Sequence, residues 1–224
     1  MNYDGYTKYD AHVAADYDRD RRAEEHWQAE HEFIAAYAAS HALGRVLDLP
    51  VGTGRFLELL GAAEEIFGVD ISDPMLAVAA GRSQSLGLAQ VHLMKGDALA
   101  TPFEDDMFDT VICFRLAHLL PPQLMPRLFA ELARVSRGPI LVQAYLAADQ
   151  PSSPWSNSRI RRLLVRAAPW LVRRPQTPWA HIESFSHDRT FLERSATASG
   201  LIVKGRHRLA HYEGSSVEVL ELSK

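Results

Sequence analysis

The sequence predicts an α/β fold: a doubly wound, mostly parallel, seven-stranded sheet that ends in an antiparallel hairpin and carries a helical lid and insert. Three observations predict it. Between residues 45 and 146, short apolar runs alternate with stretches whose apolar residues recur at helical spacing. A Gly-x-Gly turn follows the first run. The last two runs, Leu201–Leu209 and Ser216–Leu222, flank the turn signal Glu213-Gly214-Ser215 with no helix between them.

The elements follow in order. Residues 10–42 read as helical, rich in alanine and charge, as in Arg21-Arg22-Ala23-Glu24-Glu25. Arg45–Leu49 is a short buried strand that runs into Pro50-Val51-Gly52-Thr53-Gly54, after which Phe56, Leu59 and Leu60 predict a helix. The second strand, Glu65–Val69, ends in Asp70. Ser72 is the candidate N-cap of a helix carrying Met75, Leu76, Val78 and Ala79, with Pro74 in its first turn. Val91–Met94 is the third strand, ending near Asp97, and Phe108–Phe114 is the fourth. A helix from about 123 to 135 leads to a fifth strand, Pro139–Val142, and a helix over Arg189–Ala198 stops at Gly200 before the hairpin. All 224 residues read as a single domain, with residues 1–42 as an N-terminal helical lid and 151–185 as a basic helical insert.

Composition bounds the function. Hydrophobic residues make up 47% and charged residues 23%, ordinary for a globular protein that buries a core without disulfides. The one cysteine, Cys113, sits in an apolar run and reads as a buried, inert thiol. The first residues have neither the basic nor the apolar region of a secretory signal, and no uncharged apolar stretch approaches the ~20 residues that span a bilayer. Cytoplasmic location is the expectation. A formal net charge of −4 argues against a nucleic-acid binder that works by neutralising phosphates.

The glycine turn lets a ligand approach backbone without a Cβ in the way and brings unpaired N–H groups with it. A structural turn would look much the same. A dinucleotide fingerprint would place a third glycine where Leu57 stands, which disfavours a nicotinamide dehydrogenase. Asp70 ends the next strand, where it can accept from ribose hydroxyls, and Asp97 ends the third, where it can meet an adenine amino group. Either acid alone would more often be a cap or a solvated loop residue. Both, at consecutive strand ends after a glycine turn, point to a nucleoside-bearing cofactor.

These residues resemble the class I S-adenosylmethionine-dependent methyltransferases, a Rossmann-like family, of the small-molecule type. The resemblance is carried by Val46-Leu47-Asp48-Leu49-Pro50-Val51-Gly52-Thr53-Gly54, Gly68-Val69-Asp70-Ile71-Ser72, Gly96-Asp97-Ala98 and Phe108-Asp109-Thr110-Val111-Ile112-Cys113. It implies S-adenosylmethionine as cofactor, with Gly52, Thr53 and Gly54 along the methionine part, Asp70 on the ribose, Ile71 and Met75 beside the adenine, and Asp97 and Ala98 at its edge. Phe114 and Arg115 would face the methionine end through their backbone. The family's first loop glycine is Pro50 here, which removes an N–H from the loop. Tyr17, in a Tyr-Asp context near the N-terminus, resembles a lid residue that closes over the cofactor; packing on the first helix is the alternative.

No motif forces a named catalytic base. His118, just beyond the fourth strand, is the candidate, since histidine titrates near neutrality; a histidine bonded to nearby backbone is the competing reading. The motifs of base-amino and cytosine-carbon methylation are absent, and Cys and His are too scattered for a metal site. The expected activity is methylation of a small-molecule acceptor, at oxygen, with a sugar- or lipid-linked molecule among the options. A non-catalytic cofactor-binding regulator or assembly protein is the alternative. Between Pro151 and Ile182 six arginines and three tryptophans stand with no acid. That segment reads as a solvated lid, as a pocket for an anionic acceptor, or as a helix in peripheral contact with an anionic membrane.

Overall fold

The computed structural model describes residues 11–147, 184–212 and 214–224. The basic insert expected over 151–185 falls almost wholly outside them. In chain order the described elements are α1 (Ala11–Arg21), α2 (Glu25–Ser40), β1 (Arg45–Asp48), β2 (Glu65–Asp70), α3 (Asp73–Leu86), β3 (Val91–Lys95), β4 (Thr110–Cys113), α4 (Met125–Val135), β5 (Ile140–Ala147), α5 (Arg189–Ala198), β6 (Ile202–Tyr212) and β7 (Ser215–Ser223).

The sheet has the expected seven strands, in the order β3-β2-β1-β4-β5-β7-β6. Strands β1 to β5 run parallel, and β7 lies antiparallel between β5 and β6. The chain winds outward from β1 to β3, then crosses back to β4 on the other side of β1. That reversal opens a crevice at the carboxyl ends of β1 and β4, where open α/β sheets bind ligands.

Burial explains the sequence pattern. β4 and nearly all of β5 are buried on both faces, so they read as unbroken apolar runs rather than alternating ones. β6 is the edge strand. It exposes Lys204, Arg206 and Arg208 and carries irregularities at Val203/Gly205 and Arg208/Ala210, devices that discourage pairing with a further strand.

One face of the sheet packs Phe108 against Leu128, Phe129 and Leu132 of α4 and Leu192 of α5. The other face packs Val46 and Ile112 against Ile34 and Tyr37 of α2 and against Leu57 and Leu60. Phe108 sits at the centre of an aromatic group, edge-on to Phe103 at 4.8 Å and to Phe67 at 5.5 Å. Helix α3 starts where the sequence says: the Ser72 hydroxyl accepts from the Met75 N–H at 3.3 Å. At α5 the Asp188 side chain does the same for Phe191 at 2.8 Å.

Two expectations need correction. The single helical stretch over 10–42 is two helices, because Glu24 adopts an extended conformation ahead of α2. Residues 52–62 form a run of turns rather than the expected helix. Their bonds mix three-residue with four-residue spacing: Leu57 N–H donates to Gly54 O and Gly61 N–H to Glu58 O, but Leu60 N–H to Phe56 O. The apolar spacing still buries Phe56, Leu57 and Leu60, so the pattern reported the buried face correctly and the winding wrongly.

Phe108 is fully buried, and truncating it removes its edge-on contacts with Phe67 and Phe103 and its place in the core cluster with α4 and α5. Phe108→Ala is expected to lower stability by about 3–5 kcal/mol, read as a shifted midpoint in urea unfolding at unchanged slope.

Candidate active site

The crevice holds a cavity walled by residues from the ends of β1, β2 and β4, the turns after them, and α1 and α2. One end is framed by two acids. Asp70 is 6% exposed; its Oδ2 accepts the Gly52 N–H at 2.9 Å and its Oδ1 the Ser72 N–H at 2.9 Å. Burial raises its pKa, and the N–H groups of Ser72, Gly52 and Ile71 oppose that rise. Asp97 accepts the Leu99 N–H through Oδ1 at 2.9 Å. Ile71, Met75, Ala98 and Leu99 supply apolar surface around the two carboxylates.

The floor is the turn after β1. Gly52 has φ +54°, and a Cβ built there would meet nothing within 4 Å, so its open side faces free space. Gly54 differs. At φ +73° it packs against Leu57 and Ala79, where a Cβ would stand 2.7 Å from Leu57 Cδ1, and it does not line the cavity. Its glycine serves the approach of the turn to α3.

The roof comes from the N-terminal helices. Asp18 of α1 accepts from the Thr53 hydroxyl at 2.7 Å and pairs with Arg82 of α3. Those contacts set Tyr17 over the cavity, and Trp27 of α2 stands beside it, their rings 6.4 Å apart.

Behind the roof lies a buried charged cluster. Arg115, the second residue past β4, has φ +60°, an uncommon conformation for a side-chain-bearing residue. It is held by the Gln143 Oε1, which accepts the Arg115 N–H at 2.7 Å. Its guanidinium donates to Glu24 at 2.7 Å, to Glu30 at 3.2 Å and to His26 Nε2 at 2.9 Å. Glu30, wholly buried, also accepts from Gln143 Nε2 at 2.6 Å and from Arg55 at 2.6 Å. Arg55 lies 3.8 Å over the Trp27 ring. Burial, and then Arg115, hold the His26 pKa below its usual value. Since a guanidinium only donates, the neutral ring accepts at Nε2 and its Nδ1–H donates to the Tyr212 hydroxyl at 2.6 Å.

Asp48, at the end of β1, is the most unusual group. It is 1% exposed and neither carboxylate oxygen has a partner among the described residues. Burial, with a further push from Asp70, raises its pKa to about 8, while Arg55 acts the other way. Two more buried donors, Arg55 Nη1 and Arg115 Nε, also lack acceptors.

Of the residues singled out by sequence, Tyr17, Pro50, Gly52, Thr53, Asp70, Ile71, Met75, Asp97, Ala98, Phe114 and Arg115 share this one cavity. Gly54 and His118 do not line it. His118 lies on a 3-10 turn between Leu116 and Leu119, both wall residues, with its ring stacked 4.5 Å from Tyr145. Burial first, then Arg115, hold its pKa well below the usual value. Sequence reading passed over Asp48, Glu30, Arg55 and Trp27. An acid inside the apolar run Val46-Leu47-Asp48-Leu49 was the available signal for the first; nothing local marks the others. No group of three metal ligands forms among the described residues.

Residues 46–138 match the family described as a methyltransferase domain. A phosphatidylethanolamine N-methyltransferase of Cereibacter sphaeroides is 36% identical over 110 residues, which cover 48% of this chain and 53% of that protein. The chain thus spans about half the length of that relative. A 2-phytyl-1,4-naphtoquinone methyltransferase of Synechococcus elongatus is 30% identical over 190 residues, 79% of this chain and 77% of that one. Among solved structures, the magnesium protoporphyrin IX methyltransferase of Synechocystis, with bound SAH, superposes at a TM-score of 0.63 and 16% identity, covering 92% of this chain and 86% of that chain. That likeness supports the fold.

Glu30 serves two guanidinium groups and Gln143 with no water exposure. Glu30→Ala is therefore expected to cost about 3–5 kcal/mol, because it strands buried positive charge. Glu30→Gln should cost less, and chemical denaturation followed by circular dichroism ranks the two.

Proposed function

The chain belongs to the class I S-adenosylmethionine-dependent methyltransferases, and we propose that it transfers a methyl group from that cofactor to a small organic acceptor. The observation that carries this reading is the single cavity with two unlike ends. At one end Asp70 and Asp97 cap adjacent strands over an apolar bed, which suits a ribose and a purine. At the other, Arg55 and Arg115 line the cavity and the unpartnered Asp48 carboxylate is buried directly before the lining residues Leu49 and Pro50, so both signs of charge stand near this end, which suits a zwitterionic amino-acid end. The residues present therefore fit the cofactor. Bound there, S-adenosylmethionine supplies a methyl group activated on a sulfonium.

The protein's part is alignment and exclusion of water. Leu116, Leu119 and Leu120 beyond β4, with Tyr17 and Trp27 above, form an apolar and aromatic wall toward the acceptor side. That wall supports an acceptor with a substantial apolar part. The relatives named for phosphatidylethanolamine and phytyl naphtoquinone support a lipid- or quinone-like molecule. We propose oxygen as the methylated atom and His118 as the group that takes its proton. His118 is uncharged at neutral pH and sits between two wall residues, which supports that role. An anionic group on the acceptor is part of the same proposal, with the unpartnered arginine donors as its support. No helix among the described residues is long and apolar enough to cross a membrane. The proposed compartment is the cytoplasm, with no nucleic-acid partner.

Calorimetry is expected to show S-adenosylmethionine binding with micromolar affinity, about −8 kcal/mol. Asp70→Ala should weaken it by about 1.5–3 kcal/mol while the fold persists. Comparable binding of NADH with no response to S-adenosylmethionine would overturn the reading.

Turnover to S-adenosylhomocysteine with quinol and lipid acceptors separates an enzyme from a non-catalytic binder. If His118 takes the proton, kcat/KM falls on the acid side only well below pH 6.5, because only the protonated ring is inactive. That limb should vanish in His118→Asn together with most of the rate. A fully active variant would leave alignment alone as the chemistry.

A further inference from the structure

Asp48 and Asp70 end neighbouring strands, yet their surroundings differ: Asp70 lines the cavity, whereas Asp48 is buried directly before the lining residues Leu49 and Pro50. Asp70 collects backbone N–H groups from Gly52, Ser72 and Ile71. Asp48 collects none, and both its oxygens are sealed from water. The groups that face Asp48 come from each element around it. Asp70 on β2 repels its charge. Cys113 on β4 is wholly buried, and its thiol is pushed up by burial and by Asp48, so it stays protonated. Arg55 in the turn after β1 is the cation that acts on it, but Arg55 is paired to Glu30 of α2 at 2.6 Å rather than to Asp48.

A buried carboxyl with no donor and a like charge beside it keeps its proton. We propose that Asp48 couples cofactor binding to proton release: it is protonated in the cofactor-free protein and ionises when the cofactor's positive charges enter above the Gly52 turn. The step balances simply. The carboxyl O–H breaks, the electron pair stays on Asp48 and the proton passes to solvent. This inference rests on the cavity being the S-adenosylmethionine site.

The sign of the linkage follows. The bound state holds fewer protons than the free state, so affinity for the cationic cofactor rises with pH. With Asp48 at about 8, the rise is close to tenfold per pH unit well below that value and ends near it, where the cofactor's own α-ammonium, ordinarily at about 7.7–8.0, begins to lose its proton. His26 and His118 cannot produce the effect, since both are held uncharged below the same range.

The test is calorimetry of S-adenosylmethionine binding near pH 7 in phosphate and in Tris, whose ionisation enthalpies differ. The expected result is release of most of one proton near pH 7, turning to net uptake by pH 9.5, where the free cofactor's α-amino group has lost its own proton. Asp48→Asn should abolish the release and flatten the pH dependence below pH 7. The analogue 5′-methylthioadenosine, which keeps the adenosine but carries no charge, should bind without releasing a proton. Binding of S-adenosylmethionine with no proton release, or equal release in Asp48→Asn or with the uncharged analogue, would overturn the proposal. Should Asp48→Asn not fold, infrared spectroscopy of the wild type decides: a protonated buried carboxyl band must disappear on binding, and its persistence is equally fatal. No S-adenosylmethionine binding at any pH from 6 to 9 would instead overturn the cofactor reading, and this inference with it.

Discussion

The Arg115 guanidinium, with its side chain 9% exposed, has to find its counter-charges inside the protein. Glu24 and Glu30 provide them, and both belong to the helical N-terminal region. One buried cation after β4 therefore fixes where α2 lies, and α2 in turn fixes Trp27 over the cavity. Gln143 on β5 closes the arrangement by holding the Arg115 backbone with its oxygen and Glu30 with its nitrogen. Desolvating these charges is costly, so the cluster is better understood as specifying one docking geometry than as adding net stability.

The cavity works by contrast between chemically identical groups. Asp48 and Asp70 are the same residue type at equivalent strand ends, and backbone geometry decides their difference. The chain turns sharply after β1 and after β2, and an N–H from each turn, that of Gly52 and that of Ser72, points to Asp70. The strand reversal between β1 and β4 opens the crevice that Asp70 lines, with Asp48 buried directly before the lining residues Leu49 and Pro50. A fold-level feature thus sets the local electrostatics, and the apolar walls around it keep that electrostatic difference unscreened.

The sequence by itself determined the sheet and one half of the site. Buried parallel strands must be apolar throughout, helices must repeat every three to four residues, and a glycine turn between them can carry few other residues; these are local rules, so they can be read locally. The seven strands, the Ser72 cap and the glycine turn followed by the strand-end acids Asp70 and Asp97 were legible for that reason. The turns over 52–62 were misread as a helix because burial imposes the same spacing on any winding that presents one face to the core.

Tertiary structure decided the rest. Glu24, His26 and Glu30 look like any polar positions on a charged helix, and only contact with Arg115, some ninety positions away, makes them part of a buried cluster. Gly54 and Gly52 look alike in the sequence, yet one packs on α3 and the other opens to the cavity. His118 reads as a residue at the end of β4, and only the folded surroundings, its burial against Tyr145 first and the nearby Arg115 charge second, set its low proton affinity. Charge and proton affinity depend on what lies within a few ångströms through space, and chain order does not encode that distance.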